Sequence, residues 1–214
     1  MIRGSVVAAV CLATVLPGCA AMNATTGSIS REDAIADGSW QSVATRADRD
    51  RIRDWWPAWQ EALTSARISG RGAEVTAEGA LLEPLAALPN PHLPPGTYRC
   101  RVIKLGTPSG SSLAYVAYPA FQCRVEAEQD MFSMTKLSGS QRQVGLIFDD
   151  NDRRKIFLGT LALGDEVAAM DYGVDQSRNL AGIVERIGPM RWRIVFPRPA
   201  FESIVDVLEL VPES

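Results

Sequence analysis

Hydrophobic and polar positions change their period twice along this chain. From Ser5 to Leu16 apolar residues run almost unbroken behind the charge of Arg3, a stretch too short to span a bilayer as a permanent helix. Between about Arg46 and Arg67 the period is helical: Ile52, Trp55 or Trp56, Trp59, Leu63 and Ala66 recur three and four residues apart, with charges on the opposite side. Pro57 interrupts this stripe, so either the helix kinks or a first helix ends at Trp56 and a second starts on the proline. Gly70 and Gly72 are expected to stop it. A second helix is expected from Thr76, its N-cap, to Ala87, with Leu81, Leu82, Leu85 and Leu88 apolar and Pro84 inside the span. The segment Pro89-Asn-Pro-His-Leu-Pro-Pro-Gly96 reads as a rigid connector and as the boundary of the helical part.

From Tyr98 onward the period is two. Strands are expected at 98–105, 113–118, 122–127, 131–136, 143–148, 155–162, 180–187, 191–196 and 203–211. Turns are expected at Thr107-Pro-Ser-Gly-Ser-Ser112, Asp149-Asp-Asn-Asp152 and Gly188-Pro-Met190. Short strands with no crossover helix between them imply an antiparallel meander. The fold class is α+β: N-terminal helices packed on the outside or across one end of an antiparallel β-barrel or β-sandwich of about eight strands.

Composition adds a compartment. Leu16-Pro17-Gly18-Cys19 closes the apolar run as a lipoprotein signal does, which makes 1–18 a signal peptide and Cys19 the lipidated residue. Cys19-Ala20-Ala21 also reads as a site for ordinary signal peptidase, which would give a soluble periplasmic or secreted protein. Ala20 after the cysteine resembles lipoproteins sent to the outer membrane, facing the periplasm. Residues 19–45, rich in Ala, Ser, Thr and Gly, read as a flexible tether, and 46–214 as one globular domain, with 46–88 helical and 98–214 β. With Cys11 lost and Cys19 lipidated, Cys100 and Cys123 remain; both fall on the apolar side of their strands in an oxidising compartment, and a disulfide is expected. The formal net charge of −3 argues against nucleic acid as a partner.

Candidate chemistry is thin. His92 is the sole histidine and lies in the proline-rich connector without a Gly-x-Ser-x-Gly elbow, which disfavours a histidine-activated nucleophile and the usual zinc sets. Asp149-Asp-Asn-Asp152 fails the calcium-loop pattern, with Lys155 where glycine and Leu161 where glutamate are needed, and reads as a polar turn. Asp165, Glu166, Asp171 and Asp175 share the long loop 163–179, where paired carboxylates would serve a glycan or cell-wall hydrolase. The richer set is Arg101, Arg124, Lys136, Gln141, Arg142, Tyr172, Trp192 and Arg193, cations and aromatics in or beside strands, which would surround a ligand's acidic group if several faced one end of a barrel. Against this, Trp192 alternates with Ile194 and Phe196 as a core residue would, leaving Arg191 and Arg193 on a solvated face. Trp55, Trp56 and Trp59 suit either a membrane interface or, better, the core.

The strings Tyr98-Arg-Cys-Arg101 with Lys104-Leu-Gly106, Lys136-Leu-Ser-Gly-Ser-Gln-Arg142, Phe157-Leu-Gly-Thr160, Tyr172-Gly173, Arg191-Trp-Arg193 and Glu209-Leu-Val-Pro212 resemble a family of alphaproteobacterial exported proteins grouped as a domain of unknown function. The resemblance covers most of the mature chain, implies no activity or catalytic residue, and is broken by Pro57. The function expected is therefore a non-catalytic ligand- or protein-binding module, held to the membrane by an N-terminal lipid, with an envelope protein or small ligand as partner and no cofactor or metal. A glycan hydrolase and a structural or inhibitory lipoprotein are the alternatives.

Overall fold

The computed structural model describes Met1 and residues 38–107, 114–128 and 131–213. The signal segment, Cys19, most of the tether and residues 108–112 of the first expected turn lie outside the described residues.

Nine strands follow the helical part: β1 (Gly96–Leu105), β2 (Tyr115–Ala117), β3 (Phe121–Glu128), β4 (Met131–Lys136), β5 (Gln141–Asp149), β6 (Arg154–Leu163), β7 (Asn179–Gly188), β8 (Arg191–Pro197) and β9 (Val205–Pro212). All neighbours are antiparallel, and β9 returns to β1 with Tyr98 opposite Pro212 and Leu105 opposite Val205, which closes eight strands into a barrel. β2 and β3 lie along the same side of β1, pairing with its second and first halves, so together they form one interrupted hairpin arm. Closure selects the barrel over the sandwich and leaves no long unpaired edge.

One face of β1 and of each strand from β3 to β9 fills the barrel. Tyr98, Cys100, Val102, Cys123, Val125, Met134, Ile147, Phe157, Val184, Trp192, Ile194, Phe196, Leu208 and Leu210 form its packed interior. Phe157 and Phe196 meet edge-on with centroids 5.5 Å apart. The Phe157 ring occupies the space above Gly145 and Gly159, which pair across β5 and β6; a Cβ at either would strike the facing backbone. Cys100 and Cys123 form the expected disulfide inside the barrel, their Cα atoms 5.9 Å apart.

The opposite face of β7, β8, β9 and β1 is covered by helices, so these strands are buried on both sides, whereas β3 alternates between buried and exposed. The helices are α1 (Trp40–Val43), α2 (Arg46–Arg53), α3 (Trp55–Ala66), a π-helical turn (Arg67–Arg71), α4 (Gly72–Ala77) and a 3₁₀ turn (Gly79–Leu81). α1 lies inside the stretch that composition reads as tether, because Trp40, Val43 and Ala44 are buried against the domain. Thr45 caps α2, its hydroxyl accepting from the Asp48 backbone N–H. The break falls at Asp54, before Pro57 rather than on it: Pro57 sits in the first turn of α3, where its missing N–H leaves no helical bond unmade. Trp59 is fully buried, Trp55 packs against the core and Trp56 is partly exposed.

The helix expected over 76–87 does not form. Gly79 turns the chain at φ +55°, Pro84 cannot continue a helix, and the carbonyls of Ala80, Leu81, Glu83 and Pro84 instead accept hydrogen bonds from Arg193. Thr76 lies within α4 and donates to the Gly72 carbonyl rather than capping a new helix.

Candidate functional site

The two ends of the barrel differ in chemistry. At one end the connector 89–95 closes over the interior: Leu93 is fully buried, Trp192 Nε1 donates to the His92 carbonyl, and His92 and Phe132 meet edge-on at 5.2 Å. The β5–β6 and β7–β8 turns at this end are short, and Asn151 organises the first by accepting from the backbone N–H groups of Arg153 and Arg154, the polar-turn role expected for Asp149–Asp152.

At the other end alternation brings polar side chains inward. Lys104 follows Val102 on β1, Lys136 follows Met134 on β4, Gln141 and Gln143 precede Gly145 on β5, and Asp206 precedes Leu208 on β9. With Val102, Tyr118, Phe121, Ser140 and Glu202, these residues apart from Asp206 line a cavity of about 160 Å³ at the barrel mouth. A smaller adjoining cleft shares Lys104, Gln141 and Gln143 and adds Asp206.

The electrostatics of the mouth are uneven. Lys104 Nζ lies 3.1 Å from Asp206 and 3.3 Å from Glu202; burial pulls its pKa down, but the two carboxylates outweigh that and hold it above the ordinary lysine value. Ser203 also donates to Asp206. Lys136, 3% exposed, donates at 2.8 Å to the carbonyls of Ser138 and Gln141 and lies 3.7 Å from the centre of the Phe121 ring. Burial, with a contribution from Arg142, pushes it down to about 8. Gln143 is 4% exposed and its Oε1 has no hydrogen-bond partner. Among the described residues the other buried orphan is Trp59 Nε1, which lies in the packed helical layer.

Of the eight residues singled out from the sequence, Lys136 and Gln141 meet at this mouth. Trp192 is inside the barrel at the closed end, as a core residue. Arg101 faces outward and bonds Glu78 and Glu209, and Arg124 is exposed. Arg142 donates to the carbonyls of Gly139, Gly164 and Glu166, tying two connections together. Tyr172 donates to the buried carboxylate of Asp48. Arg193 corrects the expectation of a solvated row: it is 0% exposed, paired with Glu185 and stacked 4.6 Å from the Trp59 ring beneath the helical segment. Lys104, Gln143, Glu202 and Asp206 join Lys136 and Gln141 at the mouth; for Lys104, Gln143 and Asp206 the signal is a polar residue at an inward position where an otherwise apolar alternation ends, while Glu202, in the connection between β8 and β9, carries no such signal.

Two of the loop carboxylates, Glu166 and Asp175, are held in ion pairs with one arginine, Arg178. The Leu163 backbone N–H and Arg178 hold Glu166 below the usual carboxylate range, and bonds from Ser177 do the same for Asp175. A second hollow, about 270 Å³, lies on the outer face of β4, β5 and β6, walled by Val43 and by Ala169 to Tyr172 of this loop.

These features define a closed eight-stranded antiparallel barrel with a helical cover, one sealed apolar end and one polar mouth. A family model described as a domain of unknown function, DUF4893, matches residues 40–210, and the chain belongs to that family. No curated protein matches the chain. No solved structure matches it either.

Proposed function

We propose that this protein is a lipid-anchored cell-envelope module that binds a small polar ligand at the barrel mouth and does no chemistry on it. The observation that carries the binding reading is Gln143 Oε1, a buried acceptor without a partner, in a cavity that also holds two lysines. An unmade hydrogen bond in a buried position costs about 1–3 kcal/mol, and a ligand that donates to it recovers that cost on binding. The envelope placement rests on the sequence from Arg3 to Cys19 and on the resemblance to alphaproteobacterial exported proteins.

Gln143→Leu separates stability from binding. The substitution removes the orphan, and thermal unfolding of the variant is expected above that of the wild type, by about 1 kcal/mol of stability. Purified protein incubated with a small-molecule extract of the cell envelope, then washed and analysed by mass spectrometry, is expected to retain a compound that Gln143→Leu does not. Equal retention by both proteins would show that the mouth is not the binding site.

A further inference from the structure

Glu202 stands out at the mouth because its backbone lies in the left-handed region, at φ +70°, where a glutamate gains nothing sterically. Its side chain is 57% exposed, yet its carboxylate reaches Lys104 at 3.3 Å. The second carboxylate on Lys104 is unlike it: Asp206 is almost fully buried, sits in a strand opposite Lys104, and accepts from Ser203 as well. Lys104 therefore has one fixed anionic partner and one at the water boundary, held there by an unfavourable backbone conformation.

Charge decides what can replace the exposed partner. With Glu202 turned outward, the mouth holds the ammonium groups of Lys104 and Lys136 against the single carboxylate of Asp206, leaving one positive charge facing the cavity. That balance suits a monoanion. Gln143 Oε1 lines the same cavity and asks for a donor.

We infer that the ligand is a small carboxylate carrying a hydroxyl or amino group, and that Glu202 is a built-in carboxylate which the ligand displaces from Lys104. The ligand's carboxylate takes the place of Glu202 on Lys104, and its hydroxyl or amino hydrogen is donated to Gln143. This rests on the mouth being the binding site and adds the chemistry of what enters. Glu202 then sets affinity by competition, so removing its charge strengthens binding.

Three probes of graded chemistry test this on the purified mature protein: glycolate, with a carboxylate and a hydroxyl; acetate, with the carboxylate alone; and ethylene glycol, with hydroxyls alone. Binding is read from the NMR signals of the Gln143 side-chain amide and the Lys104 side chain. Glycolate is expected to bind more tightly than acetate, and ethylene glycol to leave both signals unmoved. Glu202→Gln is expected to tighten glycolate and acetate by roughly two- to fivefold, the range of a partly exposed ion pair. Glu202→Gly, which suits the backbone at this position, should tighten them as well and keeps the test valid if the glutamine variant is poorly folded. If ethylene glycol shifts the mouth signals as strongly as glycolate, and neither variant changes affinity, the carboxylate assignment is wrong while the mouth remains the site. If none of the probes moves the mouth signals in any of the three proteins, both readings fall.

Discussion

Arg193 shows how much one side chain can organise when it is buried with its charge. It pairs with Glu185 across the β7–β8 ladder, donates to four carbonyls of the unwound segment after α4 and lies against Trp59. Arg193→Met would leave Glu185, itself 3% exposed, without its partner and four carbonyls without donors. A loss of about 3–5 kcal/mol in urea unfolding is expected, with Arg193→Met/Glu185→Met recovering part of it. Lys136 makes a prediction in pH. Its native value of about 8 lies below the ~10.4 of an unfolded lysine, so above pH 8 the unfolded chain binds more protons than the folded one at this residue. The contribution of Lys136 to stability therefore rises as pH increases through the window from about 8 to 10.4 and is flat below it. An NMR titration of its side chain should show a midpoint near 8, and the unfolding free energy of the wild type relative to Lys136→Met should shift in favour of the wild type across that window.

Among the elements, the disulfide joins β1 to β3 over a separation of 23 residues. Loop-closure entropy gives such a bridge about 3 kcal/mol, so Cys100→Ala/Cys123→Ala is expected to lose about that much in denaturant unfolding. The strands were legible in the sequence because alternation is a local signal, and even Met131–Lys136 emerges with its observed limits. The segment after Thr76 was not, because its leucines have helical spacing while the donor that takes its carbonyls lies more than a hundred residues away. The break between α2 and α3 was half legible: Pro57 announces an interruption, but a proline is tolerated in a first turn, so it marks the start of α3 without fixing the residue where α2 stops. At the mouth, Lys136 and Gln141 were visible as polar residues beside strands. Lys104 looked like any lysine near a strand end until closure of β9 onto β1 put Asp206 beside it.

For the whole molecule the barrel is a filled vessel rather than a channel. Eight strands leave an interior just wide enough for side chains, and here phenylalanines, aliphatic residues and a disulfide occupy it, so a ligand has only the mouth to enter. Attachment to the membrane is a separate expectation: mass spectrometry of the protein purified from its own membranes should find a diacylated Cys19 at the mature N-terminus, and an unmodified terminus near Met22 would mean a freely diffusing protein. The length of the connections follows the same polarity as the interior. The β5–β6 and β7–β8 turns at the sealed end span only residues 150–153 and 189–190, whereas residues 164–178 and 198–204 build out the mouth. Under the proposed binding role, sequence change there is expected to alter what is bound without disturbing the ring of strands.

The place where the chain enters the fold has a consequence for orientation. Trp40, which opens the first described helix, donates its indole N–H to Asp150 in the β5–β6 turn, beside the sealed end and on the far side of the barrel from Lys104 and Gln143. Under the proposed anchoring, the chain therefore joins the vessel at its base, as a stem joins a cup, at the opposite end from the rim where a solute would enter.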